Sequence, residues 1–168
     1  MLTKPPTLAV LSEETDEIRR FRATPWLFQQ TFTTPYKDLN RFVSTFLAPF
    51  SLERGALNTD QVVFEPKNLL RLLADNSLSV ENYYDLKIQA TGQLGIAKML
   101  QAALGDCIDF VFVPSPEVIA IYTDHDGFTT FYAQDDATLK SMGLRLGTAD
   151  FKPVARYTRG SSGENIWH

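Results

Sequence analysis

The chain has little cysteine, little histidine and no long apolar run, and each shortage excludes a class of protein. One cysteine among 168 residues excludes an internal disulfide and fits a reducing compartment. Two histidines leave little material for a transition-metal site or for a His-based catalytic apparatus. The apolar run near the N-terminus is too short for a signal peptide, and no stretch approaches the roughly 18 apolar residues of a membrane span. We therefore expect a cytoplasmic protein that contacts no membrane.

The chain also lacks bases where its acids are concentrated. The stretch Asp106–Asp136, which we call the acidic window, holds seven carboxylates and no Lys or Arg in 31 residues. The other 137 residues hold 13 acids and 16 bases, so the net charge of −4 has a local origin. Nucleic-acid binding needs Lys and Arg against phosphate, so we predict no nucleic-acid partner. A concentrated negative charge favours a basic protein partner instead.

The acidic window gives the clearest prediction of strands. β-Branched and aromatic residues bounded by Pro, Asp and Gly are typical of short strands. They predict three strands at residues 108–113, 118–123 and 128–133. The Asp-Gly pair at 126–127 is a strong hairpin signal, because glycine adopts the positive φ that a tight turn needs. The window is therefore predicted to form an antiparallel meander.

The rest of the chain predicts mainly helices before the meander. Apolar residues at helical spacing, with Ser, Thr or Pro at the start, predict a short helix that begins after Ser12. Further helices are predicted at 35–47, 66–75, 92–105 and 137–142. Glycine and Asx residues indicate a loop over 50–60. A short strand is predicted at 62–64, a half-buried strand at 84–90, where apolar and polar residues alternate, and a last strand at 151–157. This distribution predicts an α+β fold, in which mainly N-terminal helices pack on one face of an antiparallel sheet.

Length and composition predict a single domain. The chain is 44% apolar and 21% charged, which is ordinary for a globular protein of this size. We place the domain at residues 1–158. The segment 159–168 is rich in glycine and serine and is predicted to be a mobile tail.

The triplet Asp124-His125-Asp126 is the first candidate for chemistry. Carboxylates beside an imidazole suit a metal ion, and His125 could serve as the base of a hydrolase. Three adjacent residues on a turn do not converge easily on one ion, however, and turn-shaping by the aspartates is the simpler interpretation. Cys107 is flanked by carboxylates, which disfavour the thiolate that a nucleophile needs. We therefore predict no catalytic residue, no metal and no cofactor.

A binding role for the acidic window is the alternative that we favour. Ordinary surfaces intersperse both signs of charge, whereas this window has one sign only. Its carboxylates lie at turns and strand ends, from which they are expected to project together. We predict that seven residues bind a partner: Glu117, Asp124, His125, Asp126, Phe128, Asp135 and Asp136.

Two segments of the window resemble a known group of proteins. Ala103–Pro114 reads ALGDCIDFVFVP, and Tyr122–Ala133 reads YTDHDGFTTFYA. Together they resemble small bacterial proteins that are the immunity partners of secreted or contact-delivered toxins. The likeness covers about residues 84–158. The chain departs from the pattern at Cys107, where the group has Trp, and at Gly127, where it has Glu.

The resemblance implies a protein that binds a cognate toxin tightly and performs no chemistry. Many such toxins are basic nucleases, and an acidic surface with exposed Phe128 and Tyr132 would cover a phosphate-binding cleft. Two alternatives stay open at this point. One is a small hydrolase or metal-dependent enzyme that uses His125 with Asp124 and Asp126, and the other is a phage or bacterial assembly subunit. The sequence sets no oligomeric state.

Overall fold

A computed structural model of the chain describes residues 7–160 and, as backbone only, residues 165–167. Its elements are β1 (Leu8–Val10), α1 (Asp16–Ala23), β2 (Phe28–Thr33), α2 (Leu39–Leu47), β3 (Arg54–Gln61), α3 (Lys67–Asp75), a 3-10 helix (Tyr83–Asp85), β4 (Lys87–Thr91), α4 (Gln93–Gly105), β5 (Asp109–Ser115), β6 (Ile119–Thr123), β7 (Phe128–Ala133), α5 (Asp136–Thr148), β8 (Pro153–Val154), β9 (Tyr157–Arg159) and β10 (Asn165–Trp167). Among these, no helix combines the length and the apolar composition that crossing a membrane requires.

One antiparallel sheet contains eight of the described strands, in the order β1-β4-β3-β5-β6-β7-β2-β8. The predicted meander is β5-β6-β7, in which Phe110 pairs with Thr123 and Thr123 pairs with Thr129. A second, two-stranded sheet pairs β9 with β10. The α+β fold class and the antiparallel sheet predicted from the sequence are confirmed.

Alternate residues of the meander enter two different cores, because successive side chains of a strand point to opposite faces. Phe110, Phe112 and Phe131 pack with α2, α3, α4 and α5 in the larger core. Val111 and Tyr132 belong to a smaller core on the opposite face. A sheet buried on both faces explains why β5 is apolar at nearly every position rather than alternating.

Helix α1 covers the second face of the sheet. The described helices therefore lie on both faces, whereas the sequence predicts helices packed on one face. The buried residues of α1, Ile18 and Phe21, are three positions apart and therefore share one side of the helix. The Phe21 ring meets the Tyr132 ring edge-on, with centroids 5.0 Å apart. Thr15 caps the helix by accepting a hydrogen bond from the Ile18 amide at 3.3 Å. The short apolar stripe of α1 thus needs only this small patch of sheet.

The predicted loop at 50–60 is wrong, because β3 occupies Arg54–Gln61 in the middle of the sheet. It pairs with β4 on one side and β5 on the other. Gly55 is here a packing residue rather than a turn residue. A Cβ atom at this position would lie 2.4 Å from the Phe112 Cε2 atom, so only glycine leaves room for that ring.

The C-terminal elements also differ from the predicted ones. Helix α5 continues well past 142, through Gly143 and Gly147, and ends at Thr148. The predicted strand at 151–157 is two strands, β8 on the edge of the large sheet and β9 in the two-stranded sheet. The domain boundary predicted at 158 falls inside β9. Of the predicted tail, residues 161–164 and 168 lie outside the described residues.

Candidate binding surface

The seven predicted partner-binding residues lie at two opposite ends of the sheet. Ile119 pairs with Ala133, and Thr123 pairs with Thr129. The β6–β7 turn therefore lies at one end, which we call the turn end. The β5–β6 connection with Glu117, and the start of α5, lie at the other. The expectation that the carboxylates among them project together is wrong, because successive turns of a meander alternate between the ends of its strands.

Asp124 is buried, which corrects the expectation that it faces a partner. Its side chain forms an ion pair with Arg159, and both residues are almost inaccessible, at 3% and 2% exposure. The Tyr157 hydroxyl donates to the same carboxylate at 3.4 Å. The Arg159 guanidinium also lies 4.5 Å from the centroid of the Tyr122 ring. Strand alternation places Asp124 on the second face of the sheet, where β9 supplies the base that the acidic window lacks.

The other carboxylate oxygen of Asp124 fixes the conformation of the turn. Its Oδ1 atom accepts hydrogen bonds from the backbone amides of Asp126 at 3.0 Å and Phe128 at 3.1 Å. Gly127 has a φ of +95°, as the Asp-Gly signal predicted. The Tyr36 ring lies over this glycine, 3.8 Å from the position of a Cβ atom. The turn is consequently fixed by side chains and not only by its own backbone.

His125 is held by Asp109 at the start of β5. The Asp109 carboxylate accepts from the His125 Nδ1 atom at 2.7 Å and from its backbone amide at 2.8 Å. This hydrogen bond raises the pKa of His125 above its usual value, with smaller contributions from the charges of Asp109 and Asp126. Because a carboxylate only accepts, Nδ1 carries the proton and Nε2 points outward. The imidazole is 30% exposed, so it contributes to the surface.

The two aspartates of the turn do not converge on one point. The Asp124 carboxylate is engaged by Arg159 on the second face, and the Asp126 Oδ1 atom is 3.8 Å from His125 Nε2. Within the residues that the structure describes, no group of three or more His, Cys, Asp or Glu side chains is placed to hold a metal ion. What the arrangement can do chemically is present a fixed imidazole beside one exposed carboxylate.

The predicted residues at the opposite end have structural partners. Glu117 forms an ion pair with Arg20 of α1. Asp135 caps α5 by accepting from the Thr138 amide at 2.7 Å, and this bond lowers the pKa of Asp135. Asp136 pairs with Lys140 one turn later, at 2.7 Å. Each of the three carboxylates therefore has a structural role within the protein, and no partner protein is needed to explain its presence.

Asp106, another acid of the window, caps α3. Its two oxygens accept from the backbone amides of Asn68 at 2.9 Å and Leu69 at 2.8 Å. Asp126 differs from these acids, because its side chain is 62% exposed and its nearest charged neighbour is His125. At the turn end, the surface residues of the window are therefore Asp126, His125 and Phe128. The Phe128 ring is partly exposed and lies 5.0 Å from the Tyr157 ring. Tyr132, expected to be exposed, is fully buried.

The sequence analysis missed four exposed apolar residues at the same end of the sheet. They are Tyr36, Val63, Phe64 and Tyr84, with exposures of 40%, 46%, 60% and 60%. Val63 and Phe64 were assigned to a short strand and Tyr84 to a half-buried strand. Both segments instead belong to connections at the ends of β3 and β4. For Tyr84, the signal that could have found the exposed position is Asn82, a capping residue directly before Tyr83 and Tyr84.

Two of these residues, Tyr36 and Phe64, adjoin residues of the acidic window. Tyr36 lies beside Gly127, and its pKa is raised to about 12, mainly by burial and further by the neighbouring Cys107 thiol. Cys107 and Phe64 line one groove of the surface. A search of protein-family models, of curated proteins and of solved structures finds no match to this chain.

Proposed function

We propose that the protein is a non-catalytic binding protein of the bacterial cytoplasm, an immunity protein that neutralises a basic toxin domain. The observation that carries this proposal is the construction of the β6–β7 turn. Buried Asp124 fixes its backbone, while Asp126, His125 and Phe128 are left at the surface. The hairpin sequence that resembles immunity proteins is this same turn.

A rigid turn favours tight association, because little conformational freedom is lost when the partner binds. Asp126 supplies negative charge, which accelerates the encounter with a basic surface. Phe128 and Tyr36 supply aromatic rings beside that charge, and aromatic side chains are frequent anchors of interfaces. Above the raised pKa of His125 the imidazole is neutral, so the turn keeps its negative charge.

The first experiment is purification of the tagged protein from its native host, with bound proteins identified by mass spectrometry. We expect a stoichiometric basic partner whose expression alone is toxic and whose toxicity is relieved by this protein. The variants Asp126→Lys and Phe128→Ala should each weaken the complex, because both side chains are surface residues of the turn. Asp124 is not a suitable target, since its replacement removes a buried charge.

The matched control is Glu53→Lys, an exposed charge reversal just before β3, at the opposite end of the sheet. It should leave affinity and protection from the toxin unchanged. Equal affinities for Asp126→Lys, Phe128→Ala and Glu53→Lys would remove the turn end as the interface. A partner that is acidic, or one that loses no activity in the complex, would remove the neutralising function.

A further inference from the structure

Strand β9 contacts the β6–β7 turn through one buried carboxylate. The two oxygens of the Asp124 side chain accept from opposite directions. Its Oδ2 atom meets the Arg159 guanidinium and the Tyr157 hydroxyl of β9. Its Oδ1 atom accepts from the backbone amides of Asp126 and Phe128 in the turn. A single side chain therefore connects the C-terminal strand with the backbone of the turn.

Side chains, and not a backbone ladder, hold β9 on the large sheet. Among the described strands, β9 pairs with β10 and with no strand of the large sheet. Gln29 of β2 makes two hydrogen bonds with the Arg159 backbone. Its Nε2 atom donates to the carbonyl at 2.9 Å, and its Oε1 atom accepts from the amide at 2.7 Å. The Tyr132 hydroxyl donates to the same carbonyl at 3.2 Å. A strand held in this way opens at a lower cost than an interior strand with two ladders.

The aromatic rings around Arg159 add further contacts between β9 and the meander. The buried Tyr157 ring lies 5.0 Å from the Phe128 ring of the turn. The Arg159 guanidinium carbon lies 4.5 Å from the centroid of the Tyr122 ring on β6. These contacts belong to the second face of the sheet, where β9 covers Asp124. Separation of β9 would therefore uncover the carboxylate and remove the Tyr157 ring from Phe128.

The position of the Asp124 carboxylate depends on the charge that β9 supplies. Asp124 is only 3% exposed, and Arg159 compensates its negative charge there. Without that compensation a buried carboxylate is destabilised, and it regains hydration by turning towards water. It then no longer accepts from the two amides of the turn. Order in the turn thus follows from the docking of β9.

We propose that docking of β9 controls the order of the β6–β7 turn, with Arg159 as a positioning residue that acts through Asp124. This inference rests on the proposed function, in that the turn is the surface that meets the partner. The apparent affinity for a partner falls in proportion to the fraction of molecules whose turn is ordered. Displacement of β9 therefore weakens the complex from outside the interface. By the reciprocity of coupled equilibria, a bound partner stabilises docked β9.

Amide hydrogen exchange of the free protein tests the coupling without a partner. The rates of Asp126 and Phe128 are compared with those of the β5 amides in the same sample, which separates opening of the turn from a general loss of stability. Arg159→Met should speed exchange of the two turn amides by about ten-fold or more relative to β5, as loss of a hydrogen bond to a charged acceptor would. The His125 amide donates to Asp109 instead, so its exchange should change less.

Gln29→Ala removes the two hydrogen bonds that dock the β9 backbone and leaves the ion pair in place. It therefore tests the coupling even where Arg159→Met does not fold. It should speed exchange in β9 and in the turn together, by about three-fold or more. The matched control is Gln30→Ala, at the next position of β2, where the side chain lies against Gly143 of α5 on the opposite face. It should leave the exchange of β9 and of the turn unchanged.

Arg159→Lys keeps the positive charge, so its turn amides should exchange at rates closer to those of the unaltered protein than to those of Arg159→Met. Equal rates in these two variants would overturn the positioning role of Arg159. Turn amides that are indifferent to Arg159→Met and Gln29→Ala would overturn the coupling. So would equal acceleration of the turn by Gln29→Ala and Gln30→Ala.

This inference and the proposed function fail in different ways, because the exchange measurements use the free protein. Turn amides that respond to β9, in a protein whose complex is indifferent to Asp126→Lys and Phe128→Ala, support the coupling and remove the turn as the interface. A toxin complex that is weakened by Asp126→Lys, with turn amides indifferent to β9, removes the coupling and leaves the proposed function standing.

Discussion

The ion pair between Asp124 and Arg159 shows that a charged residue in a turn can belong to the core. Both side chains are charged, both are buried, and the two residues are 35 positions apart in the sequence. Removing one charge of a buried pair leaves the other without compensation, which usually costs more than the pair itself contributes. Tyr157 and Tyr122 add contacts to the two groups.

We predict that Asp124→Ala lowers the free energy of unfolding by about 3–5 kcal/mol, because it strands a buried guanidinium. The double variant Asp124→Leu with Arg159→Met should recover much of that loss, since it removes both charges together. Denaturant unfolding of the unaltered protein, Asp124→Ala and the double variant measures the loss and its recovery. An Asp124→Ala variant as stable as the unaltered chain would contradict the burial of this pair.

His125 gives the turn a dependence on pH. Its pKa in the folded protein is raised by the hydrogen bond to Asp109. Protonated His125 is therefore more favourable folded than unfolded, and the added stability is fully present below the unfolded pKa of about 6.5. That stability is lost as the pH rises through the raised folded pKa. NMR titration of the imidazole gives the folded pKa, and unfolding from about pH 5 to about pH 8 gives the linked stability.

The variant Asp109→Asn should return the His125 pKa toward its usual value, because the amide carries no charge. The variant His125→Gln isolates the contribution of the imidazole to the pH dependence of stability. If the two curves of unfolding free energy against pH for His125→Gln and the unaltered protein run parallel, the raised pKa is wrong.

Among the secondary-structure elements, two glycines have different roles. One is required by side-chain packing, and the other affects only the freedom of the backbone. Gly55 in β3 lies under the Phe112 ring, where a Cβ atom would be 2.6 Å from Cζ. Gly147 in α5 is exposed, and a Cβ atom there would meet nothing within 4 Å. The same substitution should therefore have opposite effects on stability at the two positions.

We predict that Gly55→Ala destabilises the protein by about 1–3 kcal/mol, because the ring and the strand must move apart. Gly147→Ala should be neutral or stabilising by up to about 1 kcal/mol, since alanine loses less backbone freedom in a helix. Thermal and denaturant unfolding measure both. A tolerated Gly55→Ala would mean that Phe112 has room to rotate away.

The elements predicted well are those whose local sequence agrees with their place in the fold. The meander was predicted because β-branched and aromatic residues alternate with turn residues, and α3 because Pro66 precedes an apolar stripe. Strand β3 was missed because RGALNTDQ has no strand pattern, and its conformation comes from pairing with β4 and β5. Helix α5 was cut short because Gly143 is usually a stop signal.

For the whole molecule, the surface charge of the acidic window could not be predicted from that segment of sequence alone. The bases that balance Glu117 and Asp124 are Arg20 and Arg159, which lie 97 and 35 positions away. No local pattern contains such pairs, so an acidic stretch of sequence became a largely neutralised part of the structure. The turn itself was predictable, because its Asp-Gly signal is local. Which of its side chains stay exposed depended on what packs on each face of the sheet.

This arrangement makes the turn end of the molecule rigid although it is exposed. The turn joins β6 and β7, which lie inside the eight-stranded sheet, whereas β1 and β8 form its edges. The amides of Asp126 and Phe128 donate to the buried Asp124 carboxylate, and the His125 amide donates to Asp109. Opening these bonds requires displacement of buried groups. A binding surface built this way is ordered before its partner arrives.

Amide hydrogen exchange of the free protein tests that rigidity. We predict slow exchange for His125, Asp126 and Phe128, comparable with the interior strands and slower than the amides of Val63 and Phe64 in the loop after β3. The edge strand β1 should exchange faster than β5, because it pairs on one side only. Exchange of the turn amides at the rate of the loop amides would show that the turn opens locally. Ordering it would then cost free energy on binding, which would favour weak rather than tight association with a partner.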